Sequence, residues 1–408
     1  MRRVVISGYG SNTALGLDSD AVFAALMANH SGVVFMPEMD RYSGLNCRIG
    51  APVTGFDAKS IPRQQRRSMG RMSIFAALAA REACARSAVQ VERLASPRTG
   101  CIMGSTMGSA TEMEAAFKTI IETGNLGEIS SMQFFKCVSH TAAMNTAQFL
   151  GISGFVMSPA AACASAMQAI GLGFHLIRTG VLDMAFCGGA EEVNIMVCGS
   201  FDCLFAASTN FNGNPSASPR PFDAARDGVV CGEGAGVLVL ESLESALSRN
   251  APIFAEIAGY NSCGSGSNVS QSDTAAIGLC MRQALLDAKT EPGEVDYISA
   301  HATGTLQGDA AEAAAIQALL GARTPVSSLK GYFGHTLGAS GAVELIAALQ
   351  MMRDEMIIPT RNLERIAEDC GGIRHVQKTE RCNIRCLVKN CFAFGGINAV
   401  LLCRRYER

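Results

Sequence analysis

The chain has 408 residues, 34 Lys and Arg against 36 Asp and Glu for a formal net charge of −2, 48% hydrophobic side chains and no Trp. That much apolar material fills a large core and excludes a disordered chain. The near-neutral balance lacks the basic excess that binding to a nucleic acid backbone needs, so nucleic acid is not the expected partner.

In chain order, residues 4–6 are the first predicted strand, and this apolar run is too short for a signal peptide. In residues 60–71, Arg63, Arg67 and Arg71 recur at spacings of four with Arg66 beside them, which predicts a helix with one basic face. Strands are predicted at residues 100–103, 185–188, 237–240, 297–299 and 387–390, with helices at 72–87, 165–178, 274–288, 310–320 and 341–353. This is an α/β alternation, and the runs 185–187 and 237–240, apolar without alternation, read as strands covered on both faces. Residues 211–226, rich in Asn, Pro, Ser and Asp, read as a long surface loop.

Residues 249–256 follow a completed strand and a short helix and lead to a new strand at Ile253, which marks a midpoint without a flexible linker. The expected organisation is therefore a pseudo-duplicated body with halves 1–250 and 251–408. The 16 Cys are scattered through apolar stretches of a chain too long to need a disulfide framework, which points to a reducing cytoplasm. Cys382, Cys386 and Cys391 have poor zinc spacing, so no metal is expected. No stretch approaches the 18 apolar residues of a membrane span, so no membrane insertion is expected.

Three residues carry the chemistry. Cys163 follows the small-residue run Pro159-Ala160-Ala161-Ala162 and immediately precedes a helical pattern. A thiol there meets unpaired backbone N–H groups and the positive end of the helix dipole, both of which favour thiolate. His301 and His335, two of only six His, lie in Gly-rich segments after predicted strands, where α/β proteins place ligand loops. Cys163 alone reads equally well as a packing residue, and a lone His is more often structural. Together, a thiol and two imidazoles supply a nucleophile and two donors for a thioester whose oxygen becomes negative.

With these residues go Arg220-Pro221-Phe222-Asp223, Gly232-Glu233-Gly234-Ala235-Gly236, the segment from His301 to Thr305 with Asp309 and Glu312, Lys330 to Gly341, and Phe392-Ala393-Phe394-Gly395-Gly396-Ile397-Asn398. In this order and spacing, over essentially the whole chain, they resemble the elongating β-ketoacyl-[acyl-carrier-protein] synthases of the thiolase-like superfamily. The resemblance implies a five-layered αβαβα sandwich. It makes Cys163 the acyl-accepting nucleophile, and the Cys-His-His set favours elongation over initiation. It implies that Lys330 supports the site electrostatically, paired with the Glu312 carboxylate, and that Thr303 and Thr305 bind phosphopantetheine. The N–H groups of Cys163 and Phe394 would form the oxyanion hole, with the Phe394 ring, beside Phe201, gating the acyl pocket.

The resemblance also implies no cofactor beyond the phosphopantetheine of an acidic carrier protein, docked at Arg63, Arg66, Arg67 and Arg71. It further implies a homodimer, or a heterodimer with a chain-length-factor-like subunit. Departures are Ser165 where the family has Thr, Ile397 where it has Thr, and Cys391 and Ala393 in place of Ser and Gly. They bring the chain nearer to specialised condensing enzymes such as those of aryl polyene synthesis. A non-catalytic chain-length factor would lack the nucleophile, and a degradative thiolase would want a second Cys in a Gly-rich loop; neither pattern is present.

Overall fold

The computed structural model describes residues 1–407. Eleven strands form one hydrogen-bonded sheet: β1 (Val4–Thr13), β2 (Thr99–Gly104), β3 (Val156–Met157), β4 (Met184–Glu191), β5 (Gly234–Ser242), β6 (Ala255–Gly264), β7 (Tyr297–Ser299), β8 (Pro325–Ser327), β9 (Arg374–His375), β10 (Cys386–Ala393) and β11 (Ile397–Arg404). Their order is β9-β8-β7-β10-β11-β6-β1-β5-β4-β2-β3. Outward from β1, the neighbours β5 and β4 join antiparallel, then β2 and β3 parallel. Outward from β6, β11 and β10 join antiparallel, then β7 and β8 parallel. The two series repeat one topology and meet where Val4–Ile6 pair with Ile257–Ala255.

The helices that matter are α1 (Arg71–Ser87), α2 (Ala110–Thr123), α3 (Thr141–Leu150), α4 (Ser165–Arg178), α5 (Ile195–Cys203), α6 (Thr274–Asp287), α7 (Leu306–Leu320) and α8 (Ser340–Asp354). Helix α1 covers one face of β1 and β5, and α6 covers β6 and β11. Between the two half-sheets α4 packs on α8, completing the five layers. Helix α8 is buried at every position from Ser340 to Met352, as its apolar run predicts for a helix surrounded by protein. Close approach in this layer requires glycine: a Cβ on Gly341 would stand 2.3 Å from Met167 Cγ, and one on Gly104 would stand 2.6 Å from the Ser165 carbonyl carbon. Gly104 thus lets β2 abut the start of α4, directly behind Cys163.

Two local readings are corrected. Residues 60–71 do not form one helix: a single turn, Arg63–Arg66, ends before α1 begins at Arg71. Arg71 turns inward to pair with the Glu233 carboxylate and stacks on Phe56 and Phe75, so it is not part of an exposed basic face. Residues 211–226 are irregular but only partly surface, because Ser218 to Asp223 are buried. Asp223 holds them there, accepting from the N–H groups of Ala225, Glu364 and Arg365 and pairing with Arg220 at 3.1 Å. Among the described residues, no helix is long and apolar enough to cross a membrane, and all sixteen cysteines are free.

Candidate active site

Cys163 stands at a sharp turn. Ala162 before it has a left-handed backbone, φ +47°, unusual for a residue with a Cβ. Ser165 braces that turn: its hydroxyl accepts from Ala161 N–H at 2.8 Å and donates toward the Ala162 and Ser105 carbonyls. The hydroxyl shared by Ser and Thr is therefore what position 165 requires. The central helices α4 and α8 both begin here, one after Cys163 and the other after the loop that carries His335.

His335 Nε2 lies 2.9 Å from Cys163 Sγ. Leu337 N–H donates to His335 Nδ1 at 3.3 Å, so the neutral ring carries its proton on Nε2 and donates it to the sulfur. The His301 ring meets the His335 ring edge-on at 5.1 Å, and the sulfur and one nitrogen of each ring lie within 4.8 Å of one another. His301 Nδ1 is sealed in protein without a hydrogen-bond partner among the described residues.

Burial and the Lys330 charge act oppositely on the thiol and together on the two imidazoles. Burial pushes the Cys163 thiol well above its usual range, helped by nearby Cys391, while Lys330 pulls it back. Burial thus opposes the thiolate that the helix N-terminus favours, while the hydrogen bond from His335 and the field of Lys330 act in the thiolate's favour. Both imidazoles are held well below 6.5, first by burial and then by Lys330. They are neutral near pH 7, each with one N–H to donate.

Lys330 does not pair with Glu312. Its Nζ meets Glu344 Oε1 at 2.6 Å, and Lys389 Nζ meets Glu344 Oε2, all three side chains being fully buried. Glu312 instead accepts from the N–H groups of His301 at 2.9 Å and Ala302 at 2.7 Å, and from Asn390 Nδ2 at 2.9 Å. Helix α7 aims Glu312 at the loop backbone and away from Lys330. Glu344 and Lys389 escaped the sequence reading. Each is a single charge beside apolar neighbours in a predicted helix or strand, a pattern that does not by itself mark a buried pair.

Cys163, His301 and His335 open on a cavity of about 370 Å³, also lined by Thr303, Thr305, Phe201, Phe392 and Phe394. The hydroxyls of Thr303 and Thr305 are 3.1 Å apart, and the rings of Phe201 and Phe394 meet edge-on at 5.7 Å. Cys391 does not face this cavity; its thiol donates to the Cys163 carbonyl at 3.0 Å from behind. Arg63 and Arg67 are exposed and Arg66 half-buried.

The family models "Beta-ketoacyl synthase, N-terminal domain" and "Beta-ketoacyl synthase, C-terminal domain" match residues 1–246 and 254–364. The chain belongs to the beta-ketoacyl synthase family. It is 34% identical to the 3-oxoacyl-[acyl-carrier-protein] synthase 1 of Haemophilus influenzae over the full length of both. Its fold superposes on a beta-ketoacyl synthase from Burkholderia phymatum STM815 with a TM-score of 0.95 at 38% identity, covering all of each chain. It also matches a type II polyketide ketosynthase solved with its acyl-carrier protein and bound to a hexaketide, with a TM-score of 0.91 at 28% identity and full coverage of both. The synthase is thus an acyltransferase that catalyses condensation, built on the thiolase-like fold expected from its motifs.

Proposed function

We propose that the synthase joins a malonyl unit to an acyl chain held on Cys163, both delivered on the phosphopantetheine of an acyl carrier protein. The observation that carries this is the contact of one buried thiol with two neutral imidazoles at the end of a cavity. The Cys163 thiol attacks the incoming thioester; the carrier leaves as its thiol, and the N–H groups of Cys163 and Phe394 receive the tetrahedral oxyanion. Malonyl carrier protein then enters past Thr303 and Thr305, with the Phe394 and Phe201 rings as the gate. His301 and His335 donate to its thioester oxygen as the bond to the carboxylate breaks, and the electron pair left by CO2 becomes an enolate. Its carbon attacks the acyl carbonyl, the bond to sulfur breaks, and the electron pair returns to Cys163. The departing CO2 supplies the carbanion, so the sequence of steps calls on no metal or organic cofactor.

The repeated strand pattern supports dividing the chain into halves 1–250 and 251–408, with the nucleophile in the first and both histidines in the second. The sixteen free thiols support a cytoplasmic location. The edge strand β3 leaves Val156 and Met157 each 45% exposed, and α2 leaves Phe117 and Ile121 uncovered. Such an edge is a template for pairing, which supports a dimer, either with a second copy or with a chain-length-factor-like subunit. Sedimentation as a monomer at micromolar concentration would remove the dimer.

The departures at Cys391, Ala393 and Ile397 favour a specialised pathway, such as aryl polyene synthesis, over housekeeping fatty acid synthesis. Intact-protein mass spectrometry tests this reading. Carrier-loaded chains of varied length and unsaturation should add one acyl mass to the wild type and none to Cys163→Ala, with conjugated unsaturated chains loading fastest. Label on another cysteine would remove Cys163 as nucleophile, and preference for saturated chains would remove the pathway.

Arg63 on the one-turn helix and Arg67 just after it, both exposed, support docking of an acidic carrier, with the half-buried Arg66 between them. Arg63→Glu with Arg67→Glu should raise the Michaelis constant for carrier-bound substrate at low salt, and less so at high salt. A constant unchanged at low salt would remove the assignment.

A further inference from the structure

Lys389 is a fully buried lysine within β10, one strand from the histidines, and the steps above leave it without a role. Besides Glu344, its Nζ reaches the carbonyls of Ser299 at 3.4 Å and Ala300 at 3.3 Å, the two residues that lead into His301. Glu344 belongs to α8, and its other oxygen holds Lys330. One ammonium therefore ties three things: the strand end that delivers His301, the central helix, and the lysine behind both imidazoles.

We propose that Lys389 is a positioning residue of the condensing centre, clamping the His301 loop to Glu344 and, with Lys330, leaving the buried trio one positive charge in excess to face the enolate. Two ammonium groups share one carboxylate, so the excess has no other carboxylate within the trio to cancel it. A positive charge placed there before reaction stabilises the negative charge that grows on the thioester oxygen, at no cost of reorganisation. It also opposes a second positive charge on either ring and so keeps both histidines as neutral donors.

The groups that face these rings are Lys330, Lys389 and Glu344 of the trio, the Cys163 and Cys391 thiols, Glu312 under the His301 loop, and Glu191, which accepts from Gly338 N–H beyond His335. Apart from the effect of His335 on His301, the lysines alone disfavour imidazolium by charge. Removing Lys389 should thus raise the pH at which the rings protonate.

The inference rests on the condensing centre proposed above, and the test keeps the two apart. CO2 release from malonyl carrier protein is followed against pH in the full-length wild type and in Lys389→Met, Lys389→Gln and Lys389→Arg. The neutral variants should lose about tenfold in rate, less than the 10²–10³ of a direct oxyanion donor. Their acid limb should move about one unit toward higher pH. Lys389→Arg should restore the wild-type limb and part of the rate. Folded neutral variants with wild-type rate and limb would overturn the proposal. So would neutral variants that all fail to fold while Lys389→Arg behaves as wild type, since the residue would then be purely structural. Absence of CO2 release from the wild type would instead overturn the reading of the centre itself, whatever the variants do.

Discussion

Cys163→Ala should abolish acyl transfer and condensation while leaving decarboxylation of malonyl carrier protein in place. The thiol is the only group of the centre that forms a bond to the acyl chain, whereas the two imidazoles that face the malonyl thioester come from separate loops and do not need the sulfur to stay in position. His301 is held through its backbone by Glu312, and His335 through its ring by Leu337 N–H. His335→Ala should do the reverse. It removes one of two donors aimed at developing negative charge, a loss of about 10²–10³ in rate at comparable sites, and it leaves Cys163 able to accept some acyl chain. CO2 release and mass-detected acylation on both variants decide the matter. Decarboxylation lost in a folded Cys163→Ala, or intact in His335→Ala, would show that the division of labour is wrong.

Glu344→Gln should be among the most destabilising single substitutions in the synthase. The carboxylate is the shared partner of two fully buried ammonium groups, and an amide of the same shape offers one neutral oxygen to both. Breaking a buried pair by removing one member typically costs about 3–5 kcal/mol, because the other charge stays buried without compensation. Here two charges are stranded, which places the loss at the upper end of that range. Urea denaturation of the purified variant measures it; a midpoint equal to that of the wild type would show that the charge of the shared carboxylate is not what holds Lys330 and Lys389.

Much of this architecture was legible in the sequence because its central elements are simple in pattern. The predicted helix at 165–178 coincides with α4, and the predicted strand at 297–299 with β7. Helix α8 extends its prediction by one residue at each end. Strand β11 went unread although it is buried along most of its length, because the Gly-Gly turn before it belongs to a functional motif that drew the reading away from its apolar run. The edge strands β3 and β9, two residues each, are too short for any periodicity to register.

The triad was legible for a different reason: each member sits beside a turn made of small residues, and such turns stand out. The trio behind it was not. Glu344 and Lys389 are ordinary in composition, and what gives them meaning is the crossing of α8 over β10, a tertiary event. The same distinction explains the failure at Glu312, whose partner was inferred from resemblance and whose carboxylate the fold directs to backbone N–H groups. It explains Arg71 as well, since a spacing of four cannot show that the helix breaks between Arg67 and Arg71.

The nucleophile and its hydrogen-bonding histidine stand 172 positions apart, one on each side of the point where β1 and β6 join the two half-sheets. A chain emerging from the ribosome therefore completes α4 and Cys163 long before α8 exists to cover them. Contacts of such long range are slow to form, and the apolar surface left open meanwhile invites association with other chains. Catalytic competence is thus the last property the polypeptide acquires, and neither half, however well it folds alone, can acquire it first.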